Sequence, residues 1–392
     1  MVNEVIREEF NKLEEYCRTE NYKGYDPFDG LNSKIFDLLP FLRKSSLFML
    51  LWIQFFKRSP INFRKITGIK KEHNPKGLGL FLSAYCNLYK INPNRENLHK
   101  IHFFIGQLEK CQSTGYSGAC WGYNFDWQSK AFFQPKGTPS VVVTSFIGCA
   151  FLDAYEITSN VKLLEKARSA CDFILVDLNK TYDSDGDFSF SYSPLDHTQV
   201  FNASLLGVRL LSRTYAYTNE LQLLEECRKA VSFVCKHQQE NGAWSYSPLS
   251  FHKWIDNFHT GYNLECIYAY QSISADNSFQ KQLKKGLEYY LETFFEDNGL
   301  PKYYHNSKFP IDMHTTGQLI VTLSKMSILS ENEDLVHKVI NWSIKNMFDV
   351  QKGYFYFYRE KYYKIKIPYM RWTQAWMFLG LSHYLLFKNH QN

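Results

Sequence analysis

The sequence predicts an all-α chain closed into an (α/α)6 toroid, a barrel of six helical hairpins with short β-like aromatic loops at one rim. Three observations predict it. Helix starts recur at Gly77, Thr138, Asn202, Gly261, Thr315 and Thr373, in steps of 61, 64, 59, 54 and 58 residues, and so regular a period marks a repeated supersecondary unit. Each start opens an apolar helix that a more charged, amphipathic helix follows. The sixth apolar helix has no successor, so the set completes itself only if the N-terminal helix serves as its partner. An open superhelix of helix pairs is the rival arrangement, and it leaves that last helix bare.

Taken in order, residues 1–18 read as a short amphipathic helix and 22–32 as a Gly/Pro/Asp loop. A helix follows over 33–56, with a break at Pro40, and Ser59-Pro60 ends it because proline supplies no N–H to continue the ladder. Residues 1–75 thus form the N-terminal helices and basic segment that close the ring, and 76–392 form the toroid, one domain overall. The first helices of the repeats span 77–89, 139–155, 202–217, 261–273 and 315–329, apolar nearly all round and so buried on both sides. The second helices span 95–110, 161–178, 220–236, 278–296 and 333–347, with apolar residues at i, i+3, i+4 and i+7, as in Leu221, Leu224, Cys227, Ala230, Val231 and Val234. Gly-aromatic stretches such as Gly242-Ala-Trp244-Ser-Tyr246 and Gly353-Tyr-Phe-Tyr-Phe-Tyr358 alternate as short extended segments do. A last apolar helix covers 373–387.

Composition narrows the class. Nine cysteines, odd in number and without paired spacing, point to reduced thiols, and the charged N-terminus lacks the shape of a signal peptide. The apolar run 47–56 is too short to span a bilayer. A cytoplasmic protein is therefore expected, with peripheral attachment to an inner membrane as the variant. Between Arg43 and Lys76 lie nine basic residues and one acid, Glu72. Beside the apolar run, this segment 43–76 suits docking on an anionic membrane surface or an assembly protein; a solvated basic flank is the plainer reading. No nucleic-acid-binding motif accompanies the charge. With 17% aromatics, the chain has either a thick aromatic core or a groove of stacking platforms for sugar rings.

In a closed ring the starts of the inner helices meet at one rim, beside unpaired backbone N–H groups. Polar residues gather there. The richest stretch is Trp254-Ile-Asp256-Asn-Phe-His259-Thr260-Gly-Tyr262-Asn263, with Thr260 placed to cap its helix. Asp196-His197 with Asn202, and Asp312-Met-His314 before Thr315 and Gln318, supply two more Asp/His pairs, and Thr315 with Gln318 has capping-box spacing. Asn202 and Thr138 also read as caps. Trp121, Tyr123, Asp126, Trp127, Trp244, Tyr369, Arg371 and Trp372 complete the inventory. Arg371, on a buried helix start, needs an acid: Asp256, Asp312 or a substrate carboxylate.

His259, Tyr262, His314, Asp256, Asp126 and Arg371 are the catalytic candidates. Trp121, Tyr123, Trp127, His197, Asn202, Trp244, Trp254, Asn263, Asp312, Gln318, Tyr369 and Trp372 are the substrate-binding candidates. A His, a Tyr, an Asn and an Arg at one mouth suit proton abstraction beside a carboxylate, whereas Asp126 with Asp256 would suit glycoside hydrolysis. No metal is expected, since HxxxH and HxH are absent, and 183–187 lacks the glutamate that closes a calcium loop. No cofactor is expected either, for want of a Gly-rich phosphate loop.

The repeat plan resembles the six-hairpin carbohydrate-active enzymes over nearly the whole chain. Asp312-Met-His-Thr-Thr316 resembles the Asp-x-His-Thr-Thr stretch of D-glucuronyl C5-epimerases, and 139–158 and 202–215 are loosely similar to that family's inner helices. The chain is also similar to proteins of bacterial surface-polysaccharide biosynthesis. These resemblances imply a uronate-bearing saccharide as substrate and epimerisation or β-elimination as reaction. A glycoside hydrolase of the six-hairpin type and a non-catalytic glycan-binding scaffold are the alternatives. Gln238-Gln-Glu-Asn-Gly242-Ala-Trp244 resembles the repeat of triterpene cyclases, but it occurs once, and their acidic proton-donor motif is missing.

Overall fold

The computed structural model describes residues 2–129 and 132–391. Helix α1 (Val2–Thr19) comes first, then a short α2 (Lys34–Leu38) and α3 (Ser46–Arg58). Inner and outer helices then alternate: α4 (Pro75–Ile91) with α5 (Arg95–Lys110), α6 (Val141–Thr158) with α7 (Val161–Asp172), α8 (Phe201–Thr218) with α9 (Leu221–Lys236), α10 (Asn257–Ser274) with α11 (Gln280–Phe294), and α12 (Met313–Lys325) with α13 (Glu333–Met347). The sixth inner helix, α14 (Ala375–Gln391), packs against both α12 and α4, which closes the ring, and α1 lies on its outside. Phe10 of α1 meets Phe378 of α14 with ring centroids 4.8 Å apart. The toroid predicted by the repeat is the fold observed.

Two glycines show that α1 is the sixth outer helix in more than position. Gly299 has φ +84°, and a Cβ there would fall 2.3 Å from the Lys338 carbonyl of α13; Gly353, at φ +71°, would meet the Lys12 carbonyl of α1 at 2.5 Å. Both positions demand the left-handed region that glycine alone enters freely, and both press the loop onto the next outer helix. α1 takes from Gly353 what α13 takes from Gly299.

The inner helices are buried on both faces because they line one another as well as the outer ring. α6 is the extreme case: it is long and apolar enough to cross a membrane, yet 78% of it is buried inside the ring, as a core helix should be. The extended loops become short antiparallel pairs at the rim, β1 (Trp127–Gln128) with β2 (Phe133–Gln134), β3 (Lys180–Tyr182) with β4 (Phe188–Phe190), and β6 (Phe348–Asp349) with β7 (Tyr354–Phe355). β5 (Ile311–Asp312), β8 (Tyr358–Arg359) and β9 (Lys364–Ile365) make a three-stranded patch. Gly242–Trp244 forms no strand.

Several helix starts differ from expectation. Asp256 caps α10 and Asp312 caps α12, each taking a backbone N–H onto its carboxylate, so Thr260 and Thr315 lie inside their helices. Asn202 is likewise inside α8, and Ser140, not Thr138, caps α6. Carboxylates and hydroxyls cap comparably well: α10 and α12 use the earlier candidate, α6 the later, and α8 starts after Val200 without a side-chain cap. The expected helix over 33–56 is broken at Pro40, where a 3-10 turn (Pro40–Lys44) separates α2 from α3.

The insert between α1 and α4 sits on the rim. Leu31, Phe36, Met49 and Ile53 form a small core of their own. Arg64 fastens it from within, its Nε 2.6 Å from Asp29 and its second nitrogen 2.8 Å from the Asp26 carbonyl. The placement matters because α3 and the 26–32 turn then roof the inner-helix starts.

Candidate active site

A cavity of about 230 Å³ opens at that rim, lined by Phe28, Lys57, Lys76, Tyr123, Phe125, Trp127, Tyr192, Asn202, Tyr246, Trp254, Phe258, His259, Tyr262, Tyr303, Tyr304, His314, Arg371 and Trp372 among others. Its walls are mostly aromatic; its polar groups come from five inner-helix starts and from α3.

Asp256 organises one side. As the cap of α10 it accepts the His259 backbone N–H at 3.0 Å through Oδ1, and its Oδ2 accepts the His259 ring at Nδ1, 2.7 Å away. That bond turns Nδ1 toward the carboxylate, which can only accept, and makes Nε2 the ring nitrogen available to act as a base. The Tyr246 ring, stacked on Trp254 at 4.5 Å, supports the imidazole from the side at 4.9 Å.

Tyr262, one turn further along α10, faces His314 on the next inner helix, with its hydroxyl 2.9 Å from Nε2. The His314 ring is clamped between Phe258 at 4.2 Å and Trp376 at 4.3 Å. Burial, helped by Lys76, His259 and Arg371, holds this imidazole well below its ordinary pKa, so it is neutral. Burial pushes the Tyr262 phenol well above its own, so it keeps its proton. The His259 and Tyr262 rings are 5.9 Å apart. An oriented imidazole, a protonated phenol and a neutral imidazole thus stand in sequence.

Three cations face the same space. Lys76, on the first turn of α4, is buried among Phe146, Tyr262 and Trp376, and its Nζ lies 3.5 Å from the Tyr262 hydroxyl. Among the described residues no carboxylate pairs with it. Burial, reinforced by Arg371 and Arg209, holds it well below the usual lysine pKa. Lys57 reaches in from α3 over the rings of Phe28 (4.9 Å) and Trp372 (5.9 Å); burial lowers its pKa, and Asp312 partly opposes that. Arg371 lies 5.1 Å above Tyr123 and makes a two-pronged pair with Asp26, at 2.6 and 2.7 Å. Burial pulls its pKa down, but Asp26 more than offsets that, and the guanidinium stays charged.

Arg371's partner is therefore neither Asp256 nor Asp312. Asp312 is buried beneath the cavity, where Oδ1 accepts the His314 N–H at 2.9 Å and Oδ2 accepts the Trp372 indole at 2.7 Å. Burial raises its pKa to about 7 against the pull of those hydrogen bonds. It orients His314 and Trp372.

The structure gathers His259, Tyr262, His314, Arg371, Tyr123, Trp127, Asn202, Trp254 and Trp372 around one cavity, sets Asp256 behind His259 and Asp312 beneath His314 and Trp372, and places the other candidates elsewhere. Asp126 is held outside it by Arg43 at 2.5 Å and the Lys136 N–H at 2.8 Å. His197 is exposed on its loop, and Asp196 beside it closes its own turn onto Ser193 and Thr198. Trp121 and Trp244 are core residues, their indoles bonded to the carbonyls of Leu108 and Val234. Gln318 turns into the bore toward Glu265 and Thr322, and Tyr369 reaches the Phe56 carbonyl. Asn263 lines a small void with Asn202 and Asp256. Among the described residues no group of three His, Cys, Asp or Glu is arranged to hold a metal ion.

Lys57, Lys76, Asp26, Phe258 and the Tyr303–Tyr304 pair belong to the site without being candidates from the sequence. Lys76 carries one usable signal there: it precedes Gly77 at a repeat start, which places it at the rim.

No family model matches the sequence, and no curated protein matches it. Solved structures do share the fold. The cellobiose 2-epimerase of Bacillus thermoamylovorans aligns at TM-score 0.63 and 11% identity, over 82% of this chain and 90% of that one. The GH76 α-mannanase of Bacteroides thetaiotaomicron aligns at 0.62 and 13%, over 82% and 90%. An unsaturated glucuronyl hydrolase specific for heparin aligns at 0.63 and 11%, over 99% and 97%. At these identities the likeness establishes the (α/α)6 toroid.

Proposed function

We propose that the chain is a carbohydrate-active enzyme that moves a proton at C5 of a uronate residue in a saccharide, by epimerisation or β-elimination. The observation that carries this is the Tyr262–His314 hydrogen bond, with His259 as a separately oriented base on the same cavity. His259 Nε2 takes the C5 proton. The electron pair spreads into the carboxyl group, where Lys76, Lys57 and Arg371 offset the growing charge in a water-poor site. Tyr262, held in place by His314, then delivers its proton; Lys76, its Nζ 3.5 Å from that oxygen, offsets the charge on the phenolate until solvent restores the proton. Delivered to C5 from the opposite face, the proton inverts that centre; delivered to the departing O4, it completes elimination and leaves a C4–C5 double bond. The aromatic walls seat the sugar ring.

The fold is one that sugar epimerases and a glucuronyl hydrolase use, and the Asp312–Thr316 stretch, similar to that of glucuronyl C5-epimerases, contributes His314. A two-carboxylate hydrolase finds less support, because Asp126 is paired with Arg43 away from the cavity while Asp256 is bound to His259. Incubation with uronate-containing oligosaccharides in deuterated water tests the reading. Deuterium at C5 marks an epimerase, and ultraviolet absorbance of an unsaturated uronate marks a lyase. Shortened chains with neither signal, or no change in any of them, would overturn it.

A further inference from the structure

The outer face of α3 breaks the rule for a surface helix. Met49 and Ile53 are buried against Leu31 and Phe36, as an amphipathic helix requires. On the opposite side Leu47, Leu51 and Phe55, spaced i, i+4, i+8, are 65%, 58% and 47% exposed. Leu38, Leu39, Phe41, Ile61 and Ile66 are exposed on the same insert, so eight of the twenty large apolar side chains exposed among the described residues fall within 38–66. Scattered exposed apolar residues are ordinary; a stripe of them with neighbours is the mark of a contact surface.

Charge selects the occupant. Lys44, Arg58, Lys65 and Lys70 are exposed on this segment, and none is drawn into an ion pair among the described residues. The single acid between Arg43 and Lys76 is Glu72, which faces Lys136 at 3.3 Å. A second copy docked face to face would set these cations against themselves, since a two-fold contact uses the same patch twice. An anionic bilayer complements both features: apolar side chains enter the headgroup boundary while lysines and arginines meet phosphates. From Leu47 to Phe55 the stripe runs about 12 Å along the helix axis, enough to lie in that boundary.

We propose that the outer face of α3, with its flanking basic residues, docks this protein on an anionic lipid surface. Lys57, on the same helix, lines the cavity, so docking sets the cavity mouth beside the membrane, where membrane-borne saccharides lie. The docking stands apart from the reading of the cavity, since it is measured without turnover.

The test is co-sedimentation of the full chain with phosphatidylcholine vesicles, with and without phosphatidylglycerol. Wild type is expected on the anionic vesicles only, releasing as salt rises. Leu47→Glu/Leu51→Glu/Phe55→Glu, all at exposed positions, is expected to abolish binding while the circular-dichroism melt stays in place. Lys44→Gln/Lys65→Gln is expected to weaken it about 30-fold, from roughly 1 kcal/mol per charge. Absence of wild-type binding, equal binding to neutral vesicles, or indifference to the triple substitution overturns the proposal. So does a wild-type dimer in solution that the triple substitution dissolves, which would assign the face to a second copy.

Discussion

Asp256 holds His259 by two bonds at once, one to the backbone N–H at 3.0 Å and one to the ring at 2.7 Å. A single carboxylate therefore starts α10 and fixes the tautomer of the base, and two substitutions separate those duties. Asp256→Asn keeps a competent cap but cannot be relied on to hold the hydrogen on Nδ1; turnover should fall about 100-fold or more with little change in melting temperature. Asp256→Ala should lose the same activity and also about 1 kcal/mol of stability from the cap. Equal melting temperatures for the two variants would mean that the cap contributes nothing.

Tyr262→Phe removes the hydroxyl that His314 bonds and leaves the ring packing. Turnover on a uronate substrate should drop by about 10²–10⁴, and stability by about 1–3 kcal/mol from the unpaired imidazole. A variant with full turnover would remove Tyr262 from the proton path.

Lys76 gives a test of opposite sign. Its folded pKa is depressed by burial, so below the unfolded value the unfolded chain binds the proton more readily, and the group costs stability at neutral pH. Lys76→Met, similar in length and apolar, should raise the urea midpoint at pH 7 while weakening saturation by an anionic saccharide. A lower midpoint would show that the amine is stabilised by its ring neighbours after all.

A similar sign governs the acid limb. His383, buried and 3.0 Å from the Ser324 hydroxyl, has its pKa lowered to about 3 by burial and by Lys325. Its stabilising contribution is complete above the unfolded value near 6.5 and is lost as pH falls toward 3. Asp312, raised to about 7 by burial, acts the other way: its contribution is complete below about 4 and is lost as pH rises through 7. His383→Gln should therefore flatten the loss of stability between pH 6.5 and 4.5, by up to about 1.4 kcal/mol per pH unit. Urea titrations of both proteins at the two pH values measure the difference.

The ring and its rim are legible in the sequence because a repeat carries its own register: the six starts and the bare last helix imply closure without any tertiary contact. His259, Tyr262 and His314 follow from lying at those starts. Relations across the ring are what the sequence does not carry. Its local pattern offers Arg371 the rim acids Asp256 and Asp312 or a substrate carboxylate, whereas the guanidinium meets Asp26, 345 positions away in the insert. Nothing local marks Asp26, since loop aspartates are common and their burial depends on how the insert folds over the rim. Lys76 is hidden for the same reason: a lysine at a helix start reads as solvated until rings from α6, α10 and α14 enclose it. Asp26→Asn should reveal the cost of that long-range pair, about 3–5 kcal/mol for a buried guanidinium left without its carboxylate, read as a lowered urea midpoint.

Closure itself can be tested at Gly353. A methyl group there must occupy left-handed backbone and stand 2.5 Å from the Lys12 carbonyl, so it strains the loop and levers α1 off α14. The two effects together should cost about 2–4 kcal/mol. Gly106, inside α5, is the control: a Cβ added there would meet nothing within 4 Å, and alanine should gain about 0.5–1 kcal/mol by helix propensity alone. If α1 were an appendage, Gly353→Ala would leave the main unfolding transition where it is and loosen only the N-terminal helix in hydrogen exchange. If α1 is the sixth outer helix, the whole transition moves, because an opened ring exposes α14 and the face of α4 that packs on it.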